Sequence, residues 1–356
     1  MNRSICAVLV LVNLFGSFEL LVTRPLPENS LQTDPLPAAG RVSPSGDSFY
    51  APALPHPPRK TLLLAVALFL LTLCTCLVAG AQFAVAYADN QAVSIDEFLR
   101  AFTLFYKDPA ALLAGFPFAA TLLTILLAHE LGHFFACRHH HIRSSYPFFI
   151  PFPSLIGTFG AFILMRSPIR SNRALFDVGA SGPLVGFIFA VPALIYGVLH
   201  ARIVPGITDA AHVDVVFGTP LLLRFFAGLF HPGAAPSALL LHPIGRAAWV
   251  GLFATSLNLL PAGQLDGGHI LRSVSPRLHG LLSSLLPIFL FALGVFLHRS
   301  IWFVWAGLLF GLRFLRTAPL HDSSPLDSRR KLGALLALIV FLLCFMPDPV
   351  QTLGAN

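Results

Sequence analysis

The chain of 356 residues is 56% hydrophobic and only 11% charged. Soluble globular proteins carry about a quarter charged residues, so this composition excludes a soluble protein and indicates an integral membrane protein. The net charge of +7 could indicate a nucleic-acid-binding protein. However, the Lys and Arg residues lie at the ends of apolar runs and not along one polar face, so we expect no nucleic-acid partner.

The amino-terminal part of the chain, residues 1–60, contains one weak apolar stretch and a linker. The stretch at 5–22 is interrupted by polar residues and predicts an interfacial segment or a poor span; a signal peptide is the alternative, but no cleavage site of small residues follows the run. Residues 24–60 are rich in Pro and Ser and predict a disordered cytoplasmic linker.

Apolar runs without Asp, Glu, Lys or Arg mark the expected membrane spans. A hydrocarbon core about 30 Å thick needs roughly 20 apolar helical residues. The runs that satisfy this length are 61–88, 109–128, 178–201, 247–265 and 280–297. Two shorter runs, 300–312 and 332–346, can span the hydrocarbon core only if flanking basic side chains snorkel to the interface or the bilayer thins locally. We predict an all-α polytopic membrane protein with about seven transmembrane helices.

The distribution of basic residues predicts the orientation of these spans. With the amino terminus inside, most Lys and Arg residues fall in cytoplasmic segments, whereas the first outer loop is acidic, with Asp89, Asp96, Glu97 and Asp108. The positive-inside rule therefore places the ends of the second and fourth spans on the cytoplasmic side. Because the chain shows no transit peptide rich in Arg and Ser, we expect a bacterial inner membrane, with a chloroplast membrane as the alternative.

The second span ends in Leu-Ala-His-Glu-Leu-Gly-His at residues 127–133. On a helix His129 and His133 stack on one face and can hold one zinc ion, and Glu130 beside them suits a general base for the attacking water. The short pattern recurs by chance, but an ionisable side chain inside a span costs about 3 kcal/mol and needs a compensating partner. The alternative is a motif at the helix end that is hydrated at the interface.

A second acidic residue, Asp266, lies in the fourth span, within Asn-Leu-Leu-Pro-Ala-Gly-Gln-Leu-Asp-Gly-Gly-His at 258–269. Both spans run from outside to inside, so the acid and the two histidines reach a similar depth about 20 residues beyond the outer boundary. Two histidines and one carboxylate make a three-ligand zinc site with an open fourth position, the catalytic arrangement. The alternative for Asp266 is a helix cap.

The pair of motifs is more specific than either motif alone. His-Glu-x-x-His at 129–133 together with Asn-Leu-Leu-Pro at 258–261 and Leu-Asp-Gly at 265–267 closely resembles the site-2 protease family of intramembrane zinc metalloproteases. The resemblance covers residues 61–275. It implies a catalytic core of three helices, and the apolar runs after this region predict additional transmembrane helices in 276–356.

The resemblance also implies roles for single residues. It implies zinc ligands at His129, His133 and Asp266, with one zinc ion as cofactor, and Glu130 as the residue that activates water. Asn258 would help to bind the substrate or the oxyanion, although a cap or turn role ahead of the following proline is an equal alternative.

Residues 146–165 are apolar and β-prone, with too many Pro and Gly residues for a spanning helix. They resemble the short re-entrant or interfacial β-segment that this family places beside its active site. An edge strand such as 157–165 could pair with an unwound substrate, whereas an amphipathic interfacial loop is the alternative. The closely spaced small residues of 176–186 predict tight helix packing.

The lengths of two loops indicate the subclass of protein. The loops 138–174 and 202–246 are too short for a PDZ-sized insert, so we expect the compact subclass without a PDZ domain.

The run at 139–141, three consecutive histidines, could bind metal, but a solvated basic interface is favoured.

The expected activity is hydrolysis of a peptide bond in or near the transmembrane segment of another membrane protein, in regulated intramembrane proteolysis. The expected partners are the lipid bilayer and a single-span substrate such as a membrane-anchored regulator, and the oligomeric state stays open. A transporter could use buried His, Glu and Asp as an ion relay, but we find no related halves. An inactive zinc-binding scaffold is the other alternative, against which the intact Glu130 argues.

Overall fold

The structure is a computed structural model that describes residues 59–93, 107, 109–204, 215–298, 300–312, 322, 324–347 and 349–352. The apolar stretch at 5–22 and almost all of the linker at 24–60 lie outside the described residues. The described residues form two compact units. One holds those between 59 and 286 and between 312 and 352, and the other holds 287–311.

Helices account for most of the described chain. They are α1 Arg59–Ala88, α2 Phe116–His139, α3 Asn172–Leu199, α4 Leu221–Phe230, α5 Pro243–Asn258, α6 Asp266–Val274, α7 Pro276–Leu297, α8 Ser300–Leu312 and α9 Ser328–Cys344. A 3-10 helix, Pro109–Gly115, leads directly into α2, and a second one spans Pro236–Ala238.

The strands are short and pair in twos. They are β1 Phe148–Pro151, β2 Thr158–Phe162, β3 Arg202–Ile203, β4 Val215–Phe217, β5 Leu239–Leu240 and β6 Val350–Thr352. Each pair is antiparallel: β1 with β2, β3 with β5, and β4 with β6. The expected all-α polytopic membrane architecture with a small β-segment is therefore confirmed.

Four helical segments in the described part of the chain are long and apolar enough to cross a bilayer. They are Lys60–Ala88, Pro109–His139, Asn172–Leu199 and Pro276–Leu297. These segments coincide with four of the expected spans. Large apolar side chains project from them without cover, and Phe296, for example, is 80% exposed. Such extensive apolar exposure fits a lipid environment and not water.

The other three expected spans correspond to shorter helices. α5, α8 and α9 have 16, 13 and 17 residues. At about 1.5 Å per residue, even 17 residues rise only about 25 Å, less than the hydrocarbon thickness.

The expected fourth span, 247–265, is wrong as a continuous helix, because α5 ends at Asn258 and the loop 259–265 separates it from α6. Pro261 has no N–H to continue the helical ladder, and it disfavours the helical conformation in the residue before it. Gly263 then adopts a φ of +61°, which side chains with a Cβ rarely tolerate. Asp266 consequently begins a separate short helix.

The expected three-helix core is present as α2, α3 and α5, which pack against one another and carry the main buried cluster. Trp249 of α5, Phe118 of α2 and Leu194 of α3 are almost completely buried. α3 and α5 approach closely where Gly197 faces Gly245, and a Cβ on Gly197 would overlap the Gly245 backbone. The backbones meet here because neither residue has a side chain.

The hairpin of β1 and β2 lies between α2 and α3 in the chain and shows that 146–165 contains a true strand pair and not only an irregular loop. Side chains of α1 hold the loop between its strands. Thr75 Oγ1 donates to the Gly157 carbonyl at 2.6 Å, and Gln82 Nε2 donates to the Leu155 carbonyl at 3.0 Å. The hairpin is therefore supported from the α1 side.

An ionic contact joins α9 to α3. Arg330 donates to the Asp177 carboxylate through Nη2 at 2.6 Å and Nε at 2.9 Å, and His140 lies 2.8 Å from the same carboxylate. The hydrogen bond that Arg330 donates to Asp177, supported by the charge of Asp327, raises the pKa of the Arg330 guanidinium above its usual value. α9 is thereby anchored to the core helix α3.

The second unit consists of the later part of α7 and of α8. The rings of Phe291 and Phe303 are 5.2 Å apart and nearly perpendicular. Gly294 lies against the Phe303 ring, so the absence of a side chain at this position makes room for the aromatic contact.

The contact of Gly197 with Gly245 gives a test of the helix packing. Gly197→Ala places a Cβ against backbone, which cannot move aside like a side chain, so we expect a loss of about 1 to 3 kcal/mol of stability. Thermal unfolding of the detergent-solubilised chain, followed by circular dichroism, measures this loss. Gly280→Ala is the matched control, because a Cβ at this helical position meets no atom within 4 Å. Equal unfolding temperatures for the two variants would contradict the close helix contact.

Candidate metal centre

α2 carries the His-Glu-x-x-His motif in its interior, since the helix continues to His139. The residues His129, Glu130 and His133 are buried, at 6%, 5% and 7% exposure. The structure therefore contradicts the alternative of a hydrated motif at the helix end. Burial at this depth requires polar partners for each side chain.

α6 brings Asp266 to the two histidines. Asp266 is its first residue, and its Oδ2 atom lies 3.3 Å from His129 Nε2 and 3.2 Å from His133 Nε2. The two Nε2 atoms are 3.1 Å apart. Within the described residues, these three side chains form a group able to hold a metal ion.

The separations of these three atoms fit a zinc ion. Ligand atoms bound to tetrahedral zinc at about 2.0 to 2.1 Å lie roughly 3.3 Å from one another, close to all three observed distances. Two imidazole nitrogens and a carboxylate oxygen are the donor types that zinc takes in catalytic sites, with the fourth position free.

His133 is oriented by the backbone of α3. Its Nδ1 atom lies 2.8 Å from the Val178 carbonyl. Because a carbonyl can only accept a hydrogen bond, Nδ1 carries the proton and Nε2 keeps its lone pair directed at the other ligand atoms. This contact was missed from sequence, since a backbone carbonyl leaves no signature in residue identity.

The small residues of 176–186 permit the close approach of α3 to the motif, as their spacing predicts. A Cβ on Gly182 would overlap the His133 ring, and a Cβ on Gly132 would lie 2.6 Å from the Ser181 carbonyl. α3 can therefore cross α2 directly over the metal-binding turn.

Glu130 contacts the β-hairpin. Its carboxylate lies close to the backbone N–H of Ile163, the residue directly after β2. The expected strand at 157–165 therefore lies next to the acidic side chain of the motif. The sequence indicated a neighbouring strand, but the approach of this backbone group to Glu130 is visible only in the folded chain.

Asn258, the last residue of α5, also faces the cluster. Its Nδ2 atom lies 3.2 Å from His129 Nε2. The side chain is thus directed at the metal-binding group, and not at the turn ahead of Pro261 that its alternative role as a cap would require.

The histidines at 139–141 lie apart from this cluster. His140 contacts the Asp177 carboxylate, and the described residues give no metal-binding group that includes this run.

A cavity of about 810 Å³ lies between α2 and α3 on a different face of α2, where Leu131 and Ala180 contribute to its wall. The three ligand side chains do not line it.

Comparison with known proteins decides the family. The sequence model described as peptidase family M50 matches residues 117–297, which is just over half of the chain and includes α2, α3, α5 and α6. The chain belongs to peptidase family M50, the site-2 protease family.

Curated relatives of this M50 chain carry names that agree with the family. It is 31% identical to "Probable zinc metalloprotease EGY1, chloroplastic" of Oryza sativa subsp. japonica, over 59% of this chain and 37% of the relative. It is 31% identical to "Probable zinc metalloprotease EGY2, chloroplastic" of Arabidopsis thaliana, over 67% and 43%. For the EGY1 protein of Arabidopsis thaliana the identity is 34%, over 44% and 29%.

The chain spans less than half the length of these curated relatives. No solved structure matches the chain. Membership of the M50 family implies zinc as the metal of the His, His and Asp group. The relatives are named as chloroplast proteins, so their names do not support the expected bacterial inner membrane.

Zinc content tests the metal centre of this M50 protein. We expect the purified chain to retain zinc after dialysis, and His129→Ala or Asp266→Ala to lose it, because two ligands in a buried site hold the ion far less tightly than three. Elemental analysis by mass spectrometry measures the metal. His139→Ala is the control, since this exposed histidine lies outside the cluster, and loss of zinc in this variant alone would assign the metal to the histidine run instead.

Proposed function

We propose that this chain is an intramembrane zinc metalloendopeptidase that hydrolyses a peptide bond in or next to a transmembrane segment of another membrane protein. The observation that carries the proposal is the triangle of ligand atoms from the buried His129 and His133 and the partly exposed Asp266, with Glu130 beside it, in a chain of the M50 family. The names of the relatives as zinc metalloproteases support the same activity.

The side chains of the site divide the chemistry among them. His129, His133 and Asp266 would hold one zinc ion, which would supply polarisation of the scissile carbonyl and acidification of water. Glu130, next to His129 on α2, takes a proton from the attacking water and delivers it to the leaving amine nitrogen. Asn258 donates its amide N–H to the oxygen on which negative charge develops.

β2 presents the substrate to these residues. A helical substrate satisfies its amides with its own hydrogen bonds, so the segment to be cut must first unwind. Within the described residues β2 pairs only with β1, and an extended substrate segment can add to its other edge. Since Ile163 at the end of β2 contacts Glu130, a carbonyl held there lies beside the general base.

The proposed substrate is a single-span membrane protein such as a membrane-anchored regulator, released by regulated intramembrane proteolysis. Enclosure of the site among α2, α3, α5 and α6 supports a substrate that enters from the bilayer. We further propose that the site faces the cytoplasmic side of a bacterial inner membrane, and the positive-inside distribution of Lys and Arg supports this orientation.

Replacement of the general base tests the activity. Glu130→Gln keeps the shape of the side chain but cannot accept the proton, so we expect cleavage to fall at least about 100-fold while zinc content is unchanged. The measurement is cleavage of a single-span reporter in proteoliposomes, with the exposed Asp89→Asn as control. Undiminished cleavage by Glu130→Gln would defeat the proposal, and a zinc-loaded wild-type chain that cuts nothing would favour an inactive scaffold.

Photo-crosslinking tests the role of β2. A photoreactive phenylalanine analogue at Phe159, in the Glu130→Gln background, should capture the reporter close to its cut site because β2 pairs with the unwound segment. The same analogue at Phe225, a 63% exposed position on α4, is the matched control. Mass spectrometry identifies the linked residues. Capture at Phe225 in place of Phe159 would show that β2 does not bind the substrate.

A further inference from the structure

The loop that carries Asp266 to the metal centre is held by two side chains of α7. The loop comprises 259–265, and its Gly263 adopts a φ of +61°. The Gly263 N–H donates to Ser283 Oγ at 3.1 Å, and the Gly263 carbonyl accepts from His279 Nε2 at 3.0 Å. Both polar groups of one backbone residue are thus satisfied from a neighbouring helix.

His279 and Ser283 form a matched pair. They lie four residues apart on α7 and therefore on the same face, and Ser283 Oγ is 3.4 Å from His279 Nε2. Because the Gly263 carbonyl can only accept, His279 Nε2 carries the proton in this contact. We call this pair of side chains the α7 clamp.

The α7 clamp reaches the metal ligand through the first turn of α6. A Cβ on Gly268 would lie 2.5 Å from the Gly263 carbonyl oxygen, so this turn rests directly on the clamped residue. Leu265, the N-cap of α6, makes no capping hydrogen bond with its side chain. The position of Asp266 therefore depends on the neighbours of the loop, because the helix start lacks its own side-chain cap.

We propose that His279 and Ser283 are positioning residues of the metal centre: through Gly263 they hold Asp266 at ligand distance from His129 and His133. This inference rests on the proposed zinc site. Neither side chain contacts a ligand atom, so the effect on the metal passes through the backbone of the loop. Loss of such supporting contacts weakens metal binding about 10- to 100-fold in known metal sites.

Zinc affinity of the full-length chain in detergent tests the clamp without any substrate. Competition against a fluorescent zinc chelator should show an affinity at least about tenfold lower for Ser283→Ala and for His279→Ala. Ser283→Thr, which keeps the hydroxyl, should restore it. Ser284→Ala is the matched control, because among the described residues Ser284 bonds only to the carbonyl of Gly280 in its own helix.

Two further readouts separate positioning from general damage. The visible absorption spectrum of the cobalt-substituted chain should change for Ser283→Ala, since displacement of a ligand alters the coordination geometry, whereas that of Ser284→Ala should match wild type. In the cleavage assay with saturating zinc, Ser283→Ala should lower kcat and leave KM unchanged, because the clamp does not touch the substrate. If Ser283→Ala proves unstable, His279→Gln, which retains an N–H donor, provides the second variant and should keep wild-type affinity.

The outcomes distinguish this inference from the proposed activity. Wild-type zinc affinity and an unchanged cobalt spectrum in both alanine variants would overturn the clamp, even if the wild-type chain cleaves its reporter. Weakened zinc binding in both variants, together with a wild-type chain that cleaves nothing, would support the clamp and reject the protease.

Discussion

The convergence of two buried imidazole nitrogens and one carboxylate oxygen, 3.1 to 3.3 Å apart, is the constraint on which this structure depends. Ionisable groups at this depth are costly unless each has a partner, so the surrounding helices must supply both enclosure and fixed hydrogen bonds. α3 meets both needs, because its glycine-rich turn crosses the His133 ring and its Val178 carbonyl fixes the tautomer.

The same constraint explains the interrupted chain after α5. A single straight helix could not present both Asn258 and Asp266 to the cluster, since the two residues face it from different elements. Irregular backbone inside a membrane protein is tolerated only where protein or water satisfies its polar groups. The contacts of Ser283 and His279 with Gly263 meet this requirement, so the break in the helix and the clamp on α7 belong to one arrangement.

The β-hairpin is the other departure from a purely helical membrane protein. An unpaired strand edge in hydrocarbon is unfavourable, because its N–H and C=O groups have no water to bind. α1 secures the hairpin loop through Thr75 and Gln82, while Glu130 lies close to the backbone directly after β2. A strand edge kept beside a general base is suited to bind a substrate that has lost its own helical hydrogen bonds, which is the step that cleavage within a membrane demands.

Much of this arrangement could be read from the residues themselves. Composition and uncharged runs predicted a polytopic helical protein, because lipid permits few alternatives to the helix. The i, i+4 spacing of His129 and His133 placed both rings on one helix face, since helical periodicity is a local property. The paired motifs pointed to the family, and the apolar segment with Pro and Gly predicted a short β-segment at 146–165, with an interfacial loop as the alternative.

Other features were decided only by the tertiary structure. Counting uncharged residues extended the fourth span to 265, because hydropathy measures side chains and does not register the backbone break at Pro261 and Gly263. The contacts of Val178, Ile163 and the α7 clamp around the site could likewise not be predicted from the sequence. They join backbone groups to side chains distant in the chain. Every residue except proline has the same backbone N–H and C=O, so only the packing of α3, β2 and α7 selects which of them meet the site.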